Sequence, residues 1–378
     1  MKIELYINEN TIKAIATINL TDNGDSDFSF YLNRTLTVEQ IICNNKITNN
    51  FNTTETTLNF RPCSNLIEIH NNGKINSLII QYAGKIDTYY NMVTKDIKSL
   101  NWYSVWFPQD TSIPIPYEEL IIYGCSDYII LKSIYDPLQQ SWKYNNNNFD
   151  PFNIIAYRKE TLCMISNPLI NVYSTSEQLK NIALIATQHY RDILDYFNGK
   201  LFCKTTIPVL DLAFLYPTQK DYGSFKRKDL IVTTESDENE IMIIRMLAHE
   251  TAHIWCTGAD CNTWEDWLNE TTAEWAALLY ALKSGNHMLF DSIIQPHLDC
   301  VANYPSIKTA DGTRPLGVHT KGTILFYDLY KYFGVQVMEE LIRLYSIIEI
   351  KTTAFYLEKI KLILGNEVST YISEKIYV

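Results

Sequence analysis

The sequence contains no uninterrupted run of about eighteen apolar residues, the length a helix needs to cross a bilayer, so no membrane span is expected. Its first residues, Met1-Lys2-Ile3-Glu4-Leu5-Tyr6-Ile7-Asn8, alternate polar and apolar and place acids early, which leaves no apolar core of signal-peptide length. No basic run is present to neutralise phosphates, and the formal net charge is -11, which argues against a nucleic-acid surface. There is no C-x-x-C pair either. The eight cysteines are scattered singly and, without a secretion signal, read as small buried hydrophobes in a reducing compartment; the expected location is the cytoplasm.

What is present is a folded chain of 378 residues, 46% hydrophobic and 20% charged, long enough for two or three cores. Residues 1 to about 173 read as strands. Ile12 to Leu20 alternates and is turned by Asp22-Asn23-Gly24-Asp25; Phe28 to Asn33, Leu66 to His70 and Ser77 to Tyr82 repeat the pattern. Short strands at this spacing suggest an antiparallel sandwich or saddle. His70, inside a strand pattern, is expected to have a surface or packing role. At Ser174 the period changes. Ser174-Thr175-Ser176-Glu177 has capping-box spacing, and Leu179, Ile182, Ala183, Ala186, Tyr190, Ile193 and Phe197 recur at helical intervals up to a stop near Gly199. Strand patterns follow at Val209 to Tyr216 and Leu230 to Thr234, and further amphipathic helices beyond Val335.

The chemistry is carried by His249-Glu250-Thr251-Ala252-His253, set in a run apolar enough for a buried helix that begins near Ser236 or Asp237 and stops at Gly258. Histidines four residues apart lie one turn apart on the same helix face, so both imidazoles can reach one ion. Glu250 then lies beside the ion without having to ligate it, where a carboxylate can take a proton from a water that zinc holds. An accidental H-E-x-x-H is expected roughly once in a hundred chains of this composition. A satisfied pair of core histidines, or a purely structural metal site, would leave the same pattern. A third ligand separates these readings from catalysis, and Glu270 supplies it at the start of a second helix pattern running from Asp266 to Lys283. Two histidines and a glutamate leave the fourth position of a tetrahedral zinc open for water. Cys256 and Cys261 flank the intervening loop, but their spacing is not that of a zinc site and the protein positions are already filled. Glu274, one turn beyond Glu270, reads equally as an acceptor for a ligand histidine or as an ordinary helix glutamate. His189, His287 and His297 have no partner motif and read as structural.

H-E-x-x-H followed by Trp267-Leu268-Asn269-Glu270 resembles the gluzincin aminopeptidases, the family of aminopeptidase N and leukotriene hydrolase. The gap between His253 and Glu270, residues 254 to 269, is sixteen residues and two shorter than the family's usual one, while the flanking Trp267, Leu268 and Asn269 match. The resemblance implies an α+β fold, with an N-terminal antiparallel β-domain over 1–173 and a thermolysin-like zincin catalytic domain over 174–378. It also implies one zinc ion on His249, His253 and Glu270, Glu250 as general base and a peptide substrate; Asn269 and Glu274 are candidate supports around the ligands. Tyr82 to Ile86 and Trp106-Phe107-Pro108 fall where the family's β-domain motifs are expected, and no room is expected for the large helical C-terminal domain of its longer members.

Two family motifs are altered. The family's edge strand carries G-x-M-E-N, whose glutamate holds the substrate's free amine. Aligned on Leu230 to Thr233, the glycine falls on Gly223, the next position on Ser224, the methionine on Phe225 and the glutamate on Lys226, a reversal of charge. The other reading makes Lys226 and Arg227 solvated turn charges. Gly317-Val318-His319-Thr320-Lys321-Gly322 resembles the family's Y-E-K-G, with His319 where a tyrosine donates to the oxyanion; the other reading is a solvent-exposed helix-start histidine. Together the residues and the resemblance imply a zinc metallopeptidase with altered amino-terminal recognition. The alternative is a non-catalytic peptide-binding or scaffolding protein that keeps a structural zinc. Retention of Glu250 argues against it, since a structural site has no need of that carboxylate.

Overall fold

The computed structural model describes residues 1–8, 10–20, 26–58, 61–86, 91–144, 151–175, 180–215, 224–233 and 239–377. The chain forms two compact units, one comprising Met1–Cys163, Ser174–Ser176 and Leu215–Tyr222, the other Met164–Tyr173, Glu177–Phe214 and Gly223–Val378. In the first, period-two alternation does what the sequence implies. Lys2–Ile7 alternates exposed and buried residues, and Ile12–Asn19 does the same with the opposite phase. These strands belong to an eight-stranded sheet in the order Ser133–Asp136, Ser141–Tyr144, Glu119–Tyr123, Lys2–Ile7, Ile12–Asn19, Ser77–Gly84, Leu36–Cys43, Lys46–Thr48. Its buried Ile3, Leu5, Ile80 and Ile122 join Phe28, Phe30, Trp106 and Phe107 in one core.

The expectation of a purely antiparallel β-domain needs one correction. Lys2–Ile7 pairs with Glu119–Tyr123 in parallel, Ile3 opposite Leu120 and Leu5 opposite Ile122. Alternation reports which face a residue takes, not the direction of its neighbour, and this pair is joined by a long excursion rather than a hairpin. Smaller sheets of four and three strands complete the unit.

The second unit contains a five-stranded mixed sheet in the order Cys163–Ser166, Ile170–Ser174, Leu210–Phe214, Leu230–Thr233, Phe225–Arg227. Its three middle strands are parallel, and Phe225–Arg227 lies antiparallel at the edge. Sequence reasoning saw strands here but not the sheet, because strands buried on both faces lose their alternation. Helix α1 (Lys180–Phe197) crosses between the first two parallel strands, burying Ile182, Ala183, Ala186, Tyr190, Ile193 and Phe197. Residues 176–179, including Leu179 and part of the expected capping box, lie outside the described residues, as do Ser236 and Asp237.

Among the described residues six more α-helices follow: α2 (Glu240–Ala252), α3 (Trp267–Ser284), α4 (His287–Cys300), α5 (Val318–Ile347), α6 (Thr353–Ile363) and α7 (Asn366–Lys375). The Asn239 side chain caps α2, accepting from the Ile241 N–H at 3.0 Å. That helix ends at Ala252 rather than near Gly258, with His253 at its C-cap. The chain turns tightly there, Trp255 and Cys256 donating to the Ala252 carbonyl, so that the Trp255 ring stacks on Phe202 at 4.8 Å. Helix α5 is two helices meeting at Gly334, whose φ is 79°. Near its start it runs against α3 so closely that a Cβ on Gly322 would lie 1.7 Å from Thr271 Oγ1. Only glycine permits that approach, and it sets His319 beside the acids of α3.

Candidate metal centre

Four helices bring the site together. Helix α2 supplies Arg245, His249 and Glu250, with His253 at its end; α3 supplies Glu270 and Glu274; α4 supplies His297; α5 supplies His319 and Thr320. His249 Nε2 and His253 Nε2 are 3.2 Å apart, and Glu270 Oε2 is 3.5 Å from His249 Nε2. The other ring nitrogens are engaged elsewhere. His249 Nδ1 donates to Glu274 Oε2 at 2.6 Å, and His253 Nδ1 donates to the Cys256 carbonyl at 3.0 Å. Each Nε2 therefore turns a lone pair inward, and Glu270 adds a carboxylate oxygen. Three acceptors drawn together without a donor need a cation: a proton on one imidazole, or a metal ion that can displace it. His249, His253 and Glu270 each offer a ligand atom within 4.8 Å of the others, as metal binding requires.

The electrostatics fit that reading. Burial pulls His253 down to about 4, so its ring is neutral near pH 7. Burial opposes the protonation of His249 too, but the charge of Glu274 and hydrogen bonds to Glu270 and Glu274 hold its proton affinity well above the ordinary value. Burial would raise Glu270 and Glu274; the surrounding imidazoles hold both low instead, Glu270 first through its hydrogen bond to His249 and Glu274 first through the charge of His319. Two ionised carboxylates beside inward lone pairs make a cation well. Glu250 is buried, and burial pushes its carboxyl up to about 7 against the pull of His249, Lys226 and Arg227.

Glu274, open between two readings in sequence, is the acceptor for His249. Its two oxygens are divided: Oε2 takes His249 at 2.6 Å with His319 Nε2 at 3.5 Å, and Oε1 takes Arg245 at 3.0 Å and His297 Nε2 at 3.1 Å. His319 also stands with Nδ1 3.9 Å from Glu270 Oε2, its ring centroid 5.1 Å from that of His249. Asn269 is bonded away from the histidines. Its Nδ2 donates to the Ala259 carbonyl and to Asp266 Oδ1, and its Oδ1 accepts from the Ala259 N–H and the Tyr345 hydroxyl, which fastens the short loop between His253 and Glu270. Arg314 anchors the same loop through Asp266 Oδ2 at 2.7 Å.

Just before the edge strand Ser224 Oγ donates to Thr233 Oγ1 at 2.8 Å; on the strand Phe225 is buried and Lys226 half-buried, with its charge acting on Glu250 and His253. Gly223 lies outside the described residues. Cys256 is buried and Cys261 exposed, and neither joins the ligand group. Sequence reasoning left His297 as structural and did not single out Arg245, yet both contact Glu274. Arg245 had a usable signal, since it stands four residues before His249 on the same helix face. His297 had none, because α4 reaches Glu274 only through tertiary packing.

No family model matches the chain, and no curated protein matches it by sequence. Solved structures do match by shape. A glutamate-to-alanine mutant of the M1 zinc metallopeptidase from Deinococcus radiodurans aligns with a TM-score of 0.62 at 13% identity, over 99% of this chain and 92% of that one. Native yeast LTA4 hydrolase gives 0.65 at 15% identity, over 98% and 66%. Legionella pneumophila aminopeptidase A in complex with aspartic acid gives 0.67 at 13% identity, over 99% and 49%, so the chain spans about half of that protein's length. At such identities the likeness is one of architecture: this chain has the fold of the M1 zinc metallopeptidases.

Proposed function

We propose that the protein is a zinc-dependent metallopeptidase in which His249, His253 and Glu270 hold one zinc ion. The observation that carries the reading is the convergence of two inward-facing Nε2 atoms and a carboxylate on one point, with Glu250 buried beside them. When bound there, zinc supplies a Lewis acid for the scissile carbonyl and makes water a nucleophile near neutral pH. Glu250 takes the proton from the attacking water and delivers it to the leaving amine. His319 donates a hydrogen bond to the carbonyl oxygen as that oxygen gains charge. Lys226, on the edge strand, stands where an amine anchor would carry an acid, so recognition of a free amino terminus is weakened or replaced. The test is to profile cleavage of a mixed peptide library with and without a chelator. Chelator-sensitive cleavage is expected; a library left intact by the zinc-loaded protein refutes the reading.

A further inference from the structure

The two oxygens of Glu274 are used for different purposes, and that division extends the site beyond its ligands. Oε2 faces the metal group through His249. Oε1 faces away and is gripped by Arg245 from α2 and His297 from α4. His297 is itself buried and fixed by a second bond, its Nδ1 lying 3.1 Å from Thr320 Oγ1 on α5. The hydroxyl can donate to Nδ1, which leaves the proton on Nε2 free to go to Glu274. Burial lowers the proton affinity of His297, in keeping with a neutral ring that donates once and accepts once. Arg245 then provides the charge that balances the buried carboxylate.

Resting on the zinc reading above, we infer that His297 and Thr320 form a positioning pair which holds Glu274 so that it fixes the tautomer and ring direction of His249. A carboxylate that accepts from only one ring can rotate about its last side-chain torsion, and the imidazole would rotate with it. With Oε1 held by two donors from two other helices, only Oε2 is offered to His249, and Nε2 is kept aimed at the metal. The histidine from α4 is thus part of how the site binds its ion, although it is not itself a ligand.

The experiment measures zinc affinity on the full-length protein by competition with a chromogenic chelator, alongside thermal melts of the metal-stripped proteins. His297→Leu is expected to weaken zinc binding ten- to a hundredfold. His297→Gln, which keeps an amide donor of similar reach, is expected to recover most of that loss. A purely structural role for His297 predicts a lower melting temperature with unchanged zinc affinity of the folded protein, and that result overturns the inference. Should His297→Leu not fold, Thr320→Val decides: it removes only the hydroxyl that orients His297. It is expected to lower affinity several-fold, and wild-type affinity in that variant overturns the inference. Wild-type protein that binds no zinc would bring down the proposed function as well, whereas tight wild-type binding that these variants leave unchanged removes only the positioning pair.

Discussion

Among single residues, Glu250 has the clearest division of labour. It is buried, carries an elevated proton affinity and has no ligand duty in the proposed scheme. Glu250→Gln keeps the shape and removes the proton acceptor. Turnover is expected to fall by about 10²–10⁴ while metal content stays at one ion per chain, read by elemental analysis beside a cleavage assay. Equal loss of metal and activity would point instead to a structural carboxylate. His319 makes a second prediction. It stands with Nδ1 3.9 Å from Glu270 and Nε2 3.5 Å from Glu274, a ring away from His249, and is the oxyanion donor of the proposed scheme. His319→Phe is expected to lower kcat by about 10²–10³ with a smaller change in KM. Its zinc affinity should change little, which separates an oxyanion donor from a prop for Glu274.

At the scale of elements, the close approach of α3 and α5 is set by one glycine. Gly322→Ala would drive a methyl group into Thr271 Oγ1, and overpacking of this kind costs about 1–3 kcal/mol. Thr271 Oγ1 is buried without a hydrogen-bond partner, so Thr271→Ala alone should cost little. The double variant should recover much of the Gly322→Ala loss, a non-additivity readable in denaturant melts; strict additivity would mean the helices relax apart.

The loop before α3 gives a pH prediction. Burial, then the charge of Glu270, pushes Asp266 up to about 6 despite Arg314 and Asn269. A folded value above the unfolded one means the stabilisation is complete below about pH 4 and is lost as pH rises through about 6. Asp266→Asn resembles the protonated form. In chelator-treated protein its stability relative to wild type should rise by about 2 kcal/mol between pH 4 and pH 7. A difference that is flat across that range means Arg314 fully compensates the charge.

These elements also show what the sequence made legible. Helix α3 was readable to within a residue at both ends, because an apolar pattern ran between a clear start at Asp266 and a clear stop at Gly285. The end of α2 was not, because its last apolar residues, Ile254 and Trp255, continue the pattern while packing from a turn. Of the metal group, the local part, His249 and His253, was plain from spacing. Glu274 was undecided and His297 read only as structural, since their partners come from other helices and no periodicity encodes tertiary pairing.

Across the whole molecule, an acidic chain places two cations on the edge strand of the five-stranded sheet. Lys226 and Arg227 both act on Glu250 against a formal net charge of -11. The strand presenting them lies antiparallel at the sheet margin, where an extended peptide can add as a further strand. An enzyme that removes amino-terminal residues must hold an ammonium beside its metal, and the usual means is a carboxylate. If Lys226 occupies that place, as proposed, the ammonium meets a like charge, which disfavours binding unless a nearby acid offsets it. A substrate carboxylate, or a chain with its amine blocked or far away, suffers no such penalty. The comparison is direct: aminoacyl-anilides with a free amine against the same compounds acetylated. The expected outcome is a small preference either way. A hundredfold advantage for the free amine, about 2.7 kcal/mol of discrimination, would show that another acid has taken over the anchor and that Lys226 does not set the substrate's end. Lys226→Glu then supplies the converse, since restoring an acid at this position should raise kcat/KM for free-amine substrates and leave the acetylated ones unchanged.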